Sequence, residues 1–130
     1  MKTALIAEDD AAIGELVGEA LTEAGFQTHY SSDGIQAIND ILELKPDVIV
    51  LDLVLPKLQG QEICAMIRKS PTVSQTAIII LSGQAQQEVR LDLFRLGADD
   101  FVSKPFQTDE LVARVQAVYH RARHRAYSDD

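Results

Sequence analysis

The chain has little cysteine, little positive charge and no long hydrophobic run, and each shortage removes a class of protein. Its one cysteine, Cys64, has no partner for an internal disulfide, and its setting in Ile63-Cys64-Ala65-Met66-Ile67 marks a small buried residue rather than a reactive thiol. Lys and Arg number 12 against 20 Asp and Glu, for a net charge of −8. A surface of that sign does not grip a phosphate backbone unaided, so no direct nucleic-acid binding by this domain is expected. No apolar stretch approaches the ~20 residues that cross a bilayer, and Met1-Lys2-Thr3 leads into a run too brief for a secretory signal. The expected location is the cytoplasm, with no membrane partner. Internal repeats, low-complexity segments and internal linkers are also missing. What remains, at 130 residues with 46% hydrophobic and 25% charged, is one globular domain.

What is present is a set of short apolar runs that end in polar residues. Leu5-Ile6-Ala7 runs into Glu8-Asp9-Asp10, Val48-Ile49-Val50-Leu51 into Asp52, and Ala77-Ile78-Ile79-Ile80-Leu81 into Ser82; Phe101-Val102 ends at Ser103-Lys104-Pro105. The runs are continuous rather than alternating, as in strands covered on both faces of a parallel sheet. Between them lie apolar residues at three-and-four spacing. Ile13, Leu16, Val17, Ala20 and Leu21 predict a helix over 11–24 that stops at Gly25. Ile35, Ile38, Ile41 and Leu42 predict one over 35–44; Ile63, Met66 and Ile67 one over 61–69; Val89, Leu91, Leu93 and Phe94 one over 88–96. A last helix opens at an expected N-cap, Thr108, with Asp109 and Glu110 in its first turn, and runs to about Arg125. With Gln27–Tyr30 as a further strand, the pattern predicts an α/β fold: a doubly wound, five-stranded parallel sheet in the order 2-1-3-4-5 with five helices.

That order sets strand 1 beside strand 3 at the switch point, where Glu8, Asp9 and Asp52 converge. Crowded carboxylates repel one another unless a cation neutralises them or one holds a proton. Mg2+ suits the donors: it takes oxygen ligands, keeps waters and uses one or two carboxylates, and the backbone carbonyl of Val54 is a candidate further ligand. An aspartate is also a nucleophile toward phosphorus, and phosphoryl transfer asks mainly for positioning and charge neutralisation, which Lys104 and the Ser82 hydroxyl can supply. Each residue also has a plainer role open to it. Asp9 or Asp10 can cap the helix starting near Ala11, Ser82-Gly83 can be a turn, Lys104 can be solvated and Phe101 can be core. Asp52 caps no obvious helix.

Four fragments in this order resemble the receiver domain of two-component response regulators. They are Glu8-Asp9-Asp10; Pro46-Asp47-Val48-Ile49-Val50-Leu51-Asp52-Leu53 with Pro56 and Gly60 downstream; Ile80-Leu81-Ser82-Gly83; and Gly97-Ala98-Asp99-Asp100-Phe101-Val102-Ser103-Lys104-Pro105-Phe106. The resemblance spans Lys2 to Arg123 and implies a flavodoxin-like receiver fold. It makes Asp52 the phosphoacceptor, Glu8 and Asp9 the Mg2+-associated acids, Lys104 the cation, Ser82 the hydroxyl that follows the phosphoryl group and Phe101 the aromatic that changes rotamer. It implies a cis Lys104–Pro105 peptide. Serine stands where threonine is commonest and Phe101 where tyrosine is; Val54 and Gln84 occupy positions thought to tune phosphoryl lifetime.

The implied function is a switch, not an enzyme on an outside substrate: a module that catalyses its own phosphoryl transfer and dephosphorylation. Its implied partner is a sensor histidine kinase or phosphotransfer protein. A homodimer through helix 4, strand 5 and helix 5 is the further expectation, with Arg90 opposite Glu110 and Asp100 opposite Arg114 across the interface. The competing reading within the family is a protein-interaction scaffold never regulated by phosphorylation. A haloacid-dehalogenase phosphatase needs an acid two residues after the nucleophile, where Val54 stands. A flavin or dinucleotide carrier needs a phosphate cradle where Glu8-Asp9-Asp10 would repel it. His29, His120 and His124 have no ligand-like company. Residues 1–125 are taken as the receiver domain and 126–130 as a flexible tail or the start of a linker, leaving both a single-domain regulator and a piece of a longer protein open.

Overall fold

The computed structural model describes residues 1–83 and 90–128, with side chains for all of these except 90, 91, 93 and 125–128. The apolar runs become the strands β1 (Thr3–Ala7), β2 (Gln27–Ser31), β3 (Val48–Asp52), β4 (Ala77–Ser82) and β5 (Asp100–Ser103). Among the described residues they alternate with α1 (Ala11–Glu23), α2 (Gly34–Leu44), α3 (Gly60–Lys69), α4 (Arg90–Leu96) and α5 (Thr108–Ser128). Every strand pair is parallel and the order is β2-β1-β3-β4-β5, as the pattern predicts.

The strands are apolar throughout because alternate residues serve two cores. Leu5, Ala7, Ile49, Leu51, Ile78 and Ile80 face α2 and α3, meeting Ile41, Ile63 and Ile67. Ala4, Ile6, Val48, Val50, Ile79 and Leu81 face α1 and α5, meeting Val17, Leu21, Leu111 and Val115. Each such fully buried Ile or Leu stabilises the fold by ~1.5–3 kcal/mol. Cys64 lies in the first core as expected, and burial pushes its thiol up to about 11.

Helix ends follow local chemistry. Asp10 caps α1, its Oδ1 accepting from Ala12 N–H (3.0 Å) and Ile13 N–H (3.3 Å), and Asp33 Oδ1 caps α2 by accepting from Gln36 N–H (2.8 Å). Gly25, at φ 97°, follows the α1 cap residue Ala24. Its N–H reaches Thr22 O and that of Phe26 reaches Leu21 O, both at 3.0 Å, the paired closure that favours glycine in a left-handed position.

Some expectations shift. Thr108 lies inside α5, because Leu111 N–H bonds to Gln107 O (3.1 Å) and so makes Gln107 the residue that opens the helix. At the other end α5 runs on to Ser128. Leu16, Ile35, Leu42 and Met66 share the apolar spacing yet are 41–48% exposed: a helix lying on a flat sheet buries a narrower strip than the width of its apolar stripe. The start of the fourth predicted helix, Glu88-Val89, lies outside the described residues.

At the end of the sheet away from Asp52, one side chain on α3 binds two loops. Arg68 Nη1 donates to Ser74 O (2.9 Å) and Thr76 O (2.6 Å), Nε and Nη2 to Gly97 O (3.0 and 2.7 Å), and Nη2 also to Asp99 Oδ2 (3.0 Å). Asp99 Oδ2 in turn accepts from Ile78 N–H (2.8 Å). Nothing in the apolar periodicity signals this clasp between α3, β4 and the α4–β5 turn. Arg68→Ala should lower stability by ~2–4 kcal/mol in urea unfolding, because it strands backbone carbonyls and a carboxylate. Arg68→Lys should recover less than half, since an ammonium cannot span the same fork. A loss below ~1 kcal/mol for the alanine variant would reduce the clasp to an ordinary surface pair.

Candidate functional site

Register brings the site together. Ala7 pairs with Leu51, Asp52 with Leu81 and Ser82 with Ser103, so Glu8, Asp52, Ser82 and Lys104 leave the sheet at one level from four strands. Backbone bonds continue past the strand ends: Glu8 N–H to Ser31 O (3.1 Å), Leu53 N–H to Leu81 O (3.0 Å) and Lys104 N–H to Ser82 O (2.7 Å). The loop after Asp52 is pressed onto Gly60, whose N–H reaches Leu53 O (3.0 Å) and where a Cβ would come within 2.9 Å of Asp52 O. The Lys104–Pro105 peptide is cis, as the resemblance implied.

Lys104 bridges the acids. Its Nζ lies 3.1 and 3.3 Å from the Glu8 carboxylate oxygens and 3.2 Å from Asp52 Oδ2, while Asp52 Oδ1 accepts from Val54 N–H (3.2 Å). Glu8 is 1% exposed and Asp52 6%, whereas Asp9 is open to solvent. Oxygens of Glu8, Asp9 and Asp52 lie within 4.8 Å of one another, forming the one cluster among the described residues able to hold a metal ion. Beside them Ser82 is buried and its Oγ is the one buried side-chain polar atom left without a hydrogen-bond partner among the described residues.

The electrostatics match this crowding. Burial first, and the Asp52 carboxylate second, push the Glu8 carboxyl up to about 7. Burial alone would lower the Lys104 pKa, but Asp52 and then Glu8 outweigh it and raise it. Three ionised carboxylates against one ammonium leave an excess of two negative charges, which one divalent cation cancels. Hard oxygen donors, one of them solvent-facing, and an unpartnered hydroxyl nearby fit such an ion and an oxyanion ligand beside it.

The other predicted residues are distributed as follows. Phe101 is only 6% exposed and packs edge-on against Phe94, with ring centroids 4.7 Å apart. Opposite Ile80 in the register, Phe101 shares a sheet face with Ser82 as its diagonal neighbour. Val54 is exposed. Arg114 is engaged within its own chain, Nη1 to Asp100 (3.1 Å) and Nε to Glu110 (3.2 Å), because α5 lays it one turn after Glu110 and over β5. Gln84 and the Arg90 side chain lie outside the described residues. Pattern reasoning missed Tyr30, whose hydroxyl donates to Glu8 O at 2.6 Å; no motif links residues 22 apart on neighbouring strands. A groove of about 560 Å3 along α1 and β2 lies to one side of the acids.

A doubly wound sheet with an acid cluster at its switch point, facing a lysine, defines a phosphoryl-handling or metal-handling α/β module rather than a nucleotide carrier. The chain belongs to the response regulator receiver domain family, which it matches over residues 4–116. Such domains are the signalling switches of two-component systems. The chain is 36% identical over 121 residues to the DNA-binding dual master transcriptional regulator RpaA of Synechocystis, covering 93% of this chain and 50% of that protein. It is 39% identical over 118 residues to the DNA-binding response regulator MtrA of Mycobacterium tuberculosis, covering 90% and 50%. The receiver domain of Francisella response regulator 1452 superposes with a TM-score of 0.84 at 34% identity, covering 93% of this chain and 98% of that one. The chain spans about half the length of the curated relatives it matches. No helix among the described residues is long and apolar enough to cross a membrane.

In metal-free protein the folded state keeps a proton on Glu8 up to about pH 7, the unfolded state only to about 4.5. The folded form therefore binds the extra proton between these values, and its stability falls as pH rises through the window. Urea unfolding in EDTA should show a decline of ~1–3 kcal/mol that Glu8→Gln flattens. Wild-type stability that instead rises relative to Glu8→Gln would place the proton on another group.

Proposed function

We propose that the domain accepts a phosphoryl group on Asp52 from a sensor histidine kinase or phosphotransfer protein, in the cytoplasm, and relays it as a change of surface. The observation that carries this reading is the buried Asp52 carboxylate held 3.2 Å from Lys104 Nζ beside two further acids. An Asp52 oxygen attacks phosphorus of the donor phosphohistidine. The P–N bond breaks, its electron pair returns to the imidazole, which takes a proton, and an acyl phosphate forms. Attack by water on phosphorus later breaks the P–O bond and restores the carboxylate. Lys104 stays charged throughout and neutralises oxygens that gain charge. Mg2+, held by Glu8, Asp9, Asp52 and the Val54 carbonyl, would supply charge neutralisation and orientation for the phosphoryl oxygens when bound.

Ser82 is the group that senses the product. Its buried, unpartnered Oγ gains a hydrogen bond once phosphoryl oxygens arrive, and its shift is felt by Phe101 on the same face. Phe101 borders a cavity of about 310 Å3 lined also by Phe94, Pro105 and Arg114, so ring position and the α4-β5-α5 surface are linked. Residues 1–125 are taken as the receiver unit, whether it acts as a single-domain regulator or as the input of a longer protein like the DNA-binding relatives.

Acetyl phosphate or phosphoramidate with Mg2+ should give a base-labile adduct that Asp52→Asn abolishes. A full-level adduct in Asp52→Asn, or none in the wild type, would sink the phosphoacceptor reading and leave the scaffold alternative. Activation should also drive dimerisation through α4, β5 and α5, with the Asp100–Arg114 and Glu110 contacts exchanged between chains and Arg90 joining them. Sedimentation with beryllofluoride should show a dimer that Asp100→Arg weakens about tenfold or more, and that Asp100→Arg with Arg114→Asp restores. A monomer throughout, or a dimer indifferent to both variants, removes this interface.

A further inference from the structure

The last two residues of β2 hold both backbone groups of Glu8. Its N–H donates to Ser31 O at 3.1 Å, and its carbonyl accepts from the Tyr30 hydroxyl at 2.6 Å. Room for the phenol comes from Gly14 on α1, where a Cβ would collide with Tyr30 Cε1 and lie 2.9 Å from Cδ1. The supporting strand is itself anchored: fully buried Ser31 donates through Oγ to Asp40 Oδ2 of α2 at 2.8 Å. Tyr30 is 40% exposed, so its ring is a minor part of the core and its hydroxyl is what distinguishes it from phenylalanine.

The Glu8 carbonyl belongs to the Glu8–Asp9 peptide, a rigid plane. Fixing that oxygen fixes the plane from which the Asp9 main chain departs. Asp9 is the exposed acid of the cluster. Glu8 and Asp52 are tied by Lys104, but Asp9 makes no hydrogen bond or ion pair among the described residues, so its direction depends on the turn beneath it. Resting on the reading that this cluster binds Mg2+, we propose that Tyr30, seated in the notch at Gly14, is a positioning residue for the metal site. By holding the Glu8 carbonyl it keeps the β1–α1 turn in the form that sets Asp9 beside Glu8 and Asp52.

Tyr30→Phe removes the hydroxyl and keeps the ring. Isothermal titration calorimetry should show the Mg2+ dissociation constant rising about three- to tenfold, the scale of one lost hydrogen bond. The Mg2+ concentration that half-saturates phosphoramidate labelling should rise in step, with a smaller change in maximal rate. Gly14→Ala should weaken Mg2+ in the same direction by displacing the ring, although alanine is the better helix former; thermal stability in EDTA held or raised, with affinity lost, separates positioning from general unfolding. Amide shifts in metal-free Tyr30→Phe should centre on Glu8, Asp9 and Asp10. Equal Mg2+ affinity in wild type and Tyr30→Phe, or a lower maximal rate at unchanged half-saturation, overturns the proposal. Failure of the wild type to bind millimolar Mg2+ overturns instead the metal-site reading on which it rests.

Discussion

Like charge gathered at one end of a parallel sheet is the constraint from which the rest of this structure follows. Glu8 and Asp52 are buried, Asp9 adds a third carboxylate, and among the described residues Lys104 is the one ammonium ion-paired with the cluster. Repulsion among groups this close would open the strand ends unless the backbone held them. The backbone does so: three hydrogen bonds continue the ladders past Ala7, Asp52 and Ser103, and Gly60 lets the β3–α3 loop sit directly against Asp52. The proton retained by Glu8 toward neutral pH is the chemical sign that the lysine alone does not balance the site.

Rigidity and responsiveness occupy opposite ends of the same strands. At one end Arg68 gathers three backbone carbonyls from two connections and the Asp99 carboxylate, which fixes where β4 and β5 begin. At the other, Ser82 ends β4 with a buried hydroxyl that has no partner among the described residues. A strand tied firmly at its start and carrying an unsatisfied donor at its finish would concentrate a ligand-driven shift, under the proposed function, at the finish. Phe101 and its cavity lie one residue pair away on the same face. That adjacency gives a local charge change a short path to the α4-β5-α5 surface.

The Arg114 contacts bear on that surface. Its bonds to Asp100 and Glu110 are intrachain, and half-exposed ion pairs contribute little to stability. A dimer using the same groups would exchange one set of partners for an equivalent one, so in it the charges would set register while the apolar neighbours, among them the half-exposed Phe94, would supply the attraction. The likeness to the relatives covers about half of their length and supports a shared receiver module.

Much of this was legible in the sequence because its signals are periodic or terminal. Short, β-branched continuous runs such as Ile78-Ile79-Ile80 read as strands buried on both faces, and polar residues at their ends locate the site once the strands are parallel. Asp10 and Gly25 mark helix ends through bonds to residues a few positions away, which local chemistry dictates. Three things were settled only by tertiary structure. Which apolar positions stay exposed, as Leu16 and Met66 do, depends on the width of sheet beneath each helix. Arg114 finds Asp100, and Arg68 finds Gly97 and Asp99, across loops that no spacing rule connects. Tyr30 reaches the Glu8 carbonyl because β1 and β2 are neighbours and Gly14 leaves a gap. Periodicity records what a residue does for its own element; contacts between elements depend on distances that the chain acquires only when folded.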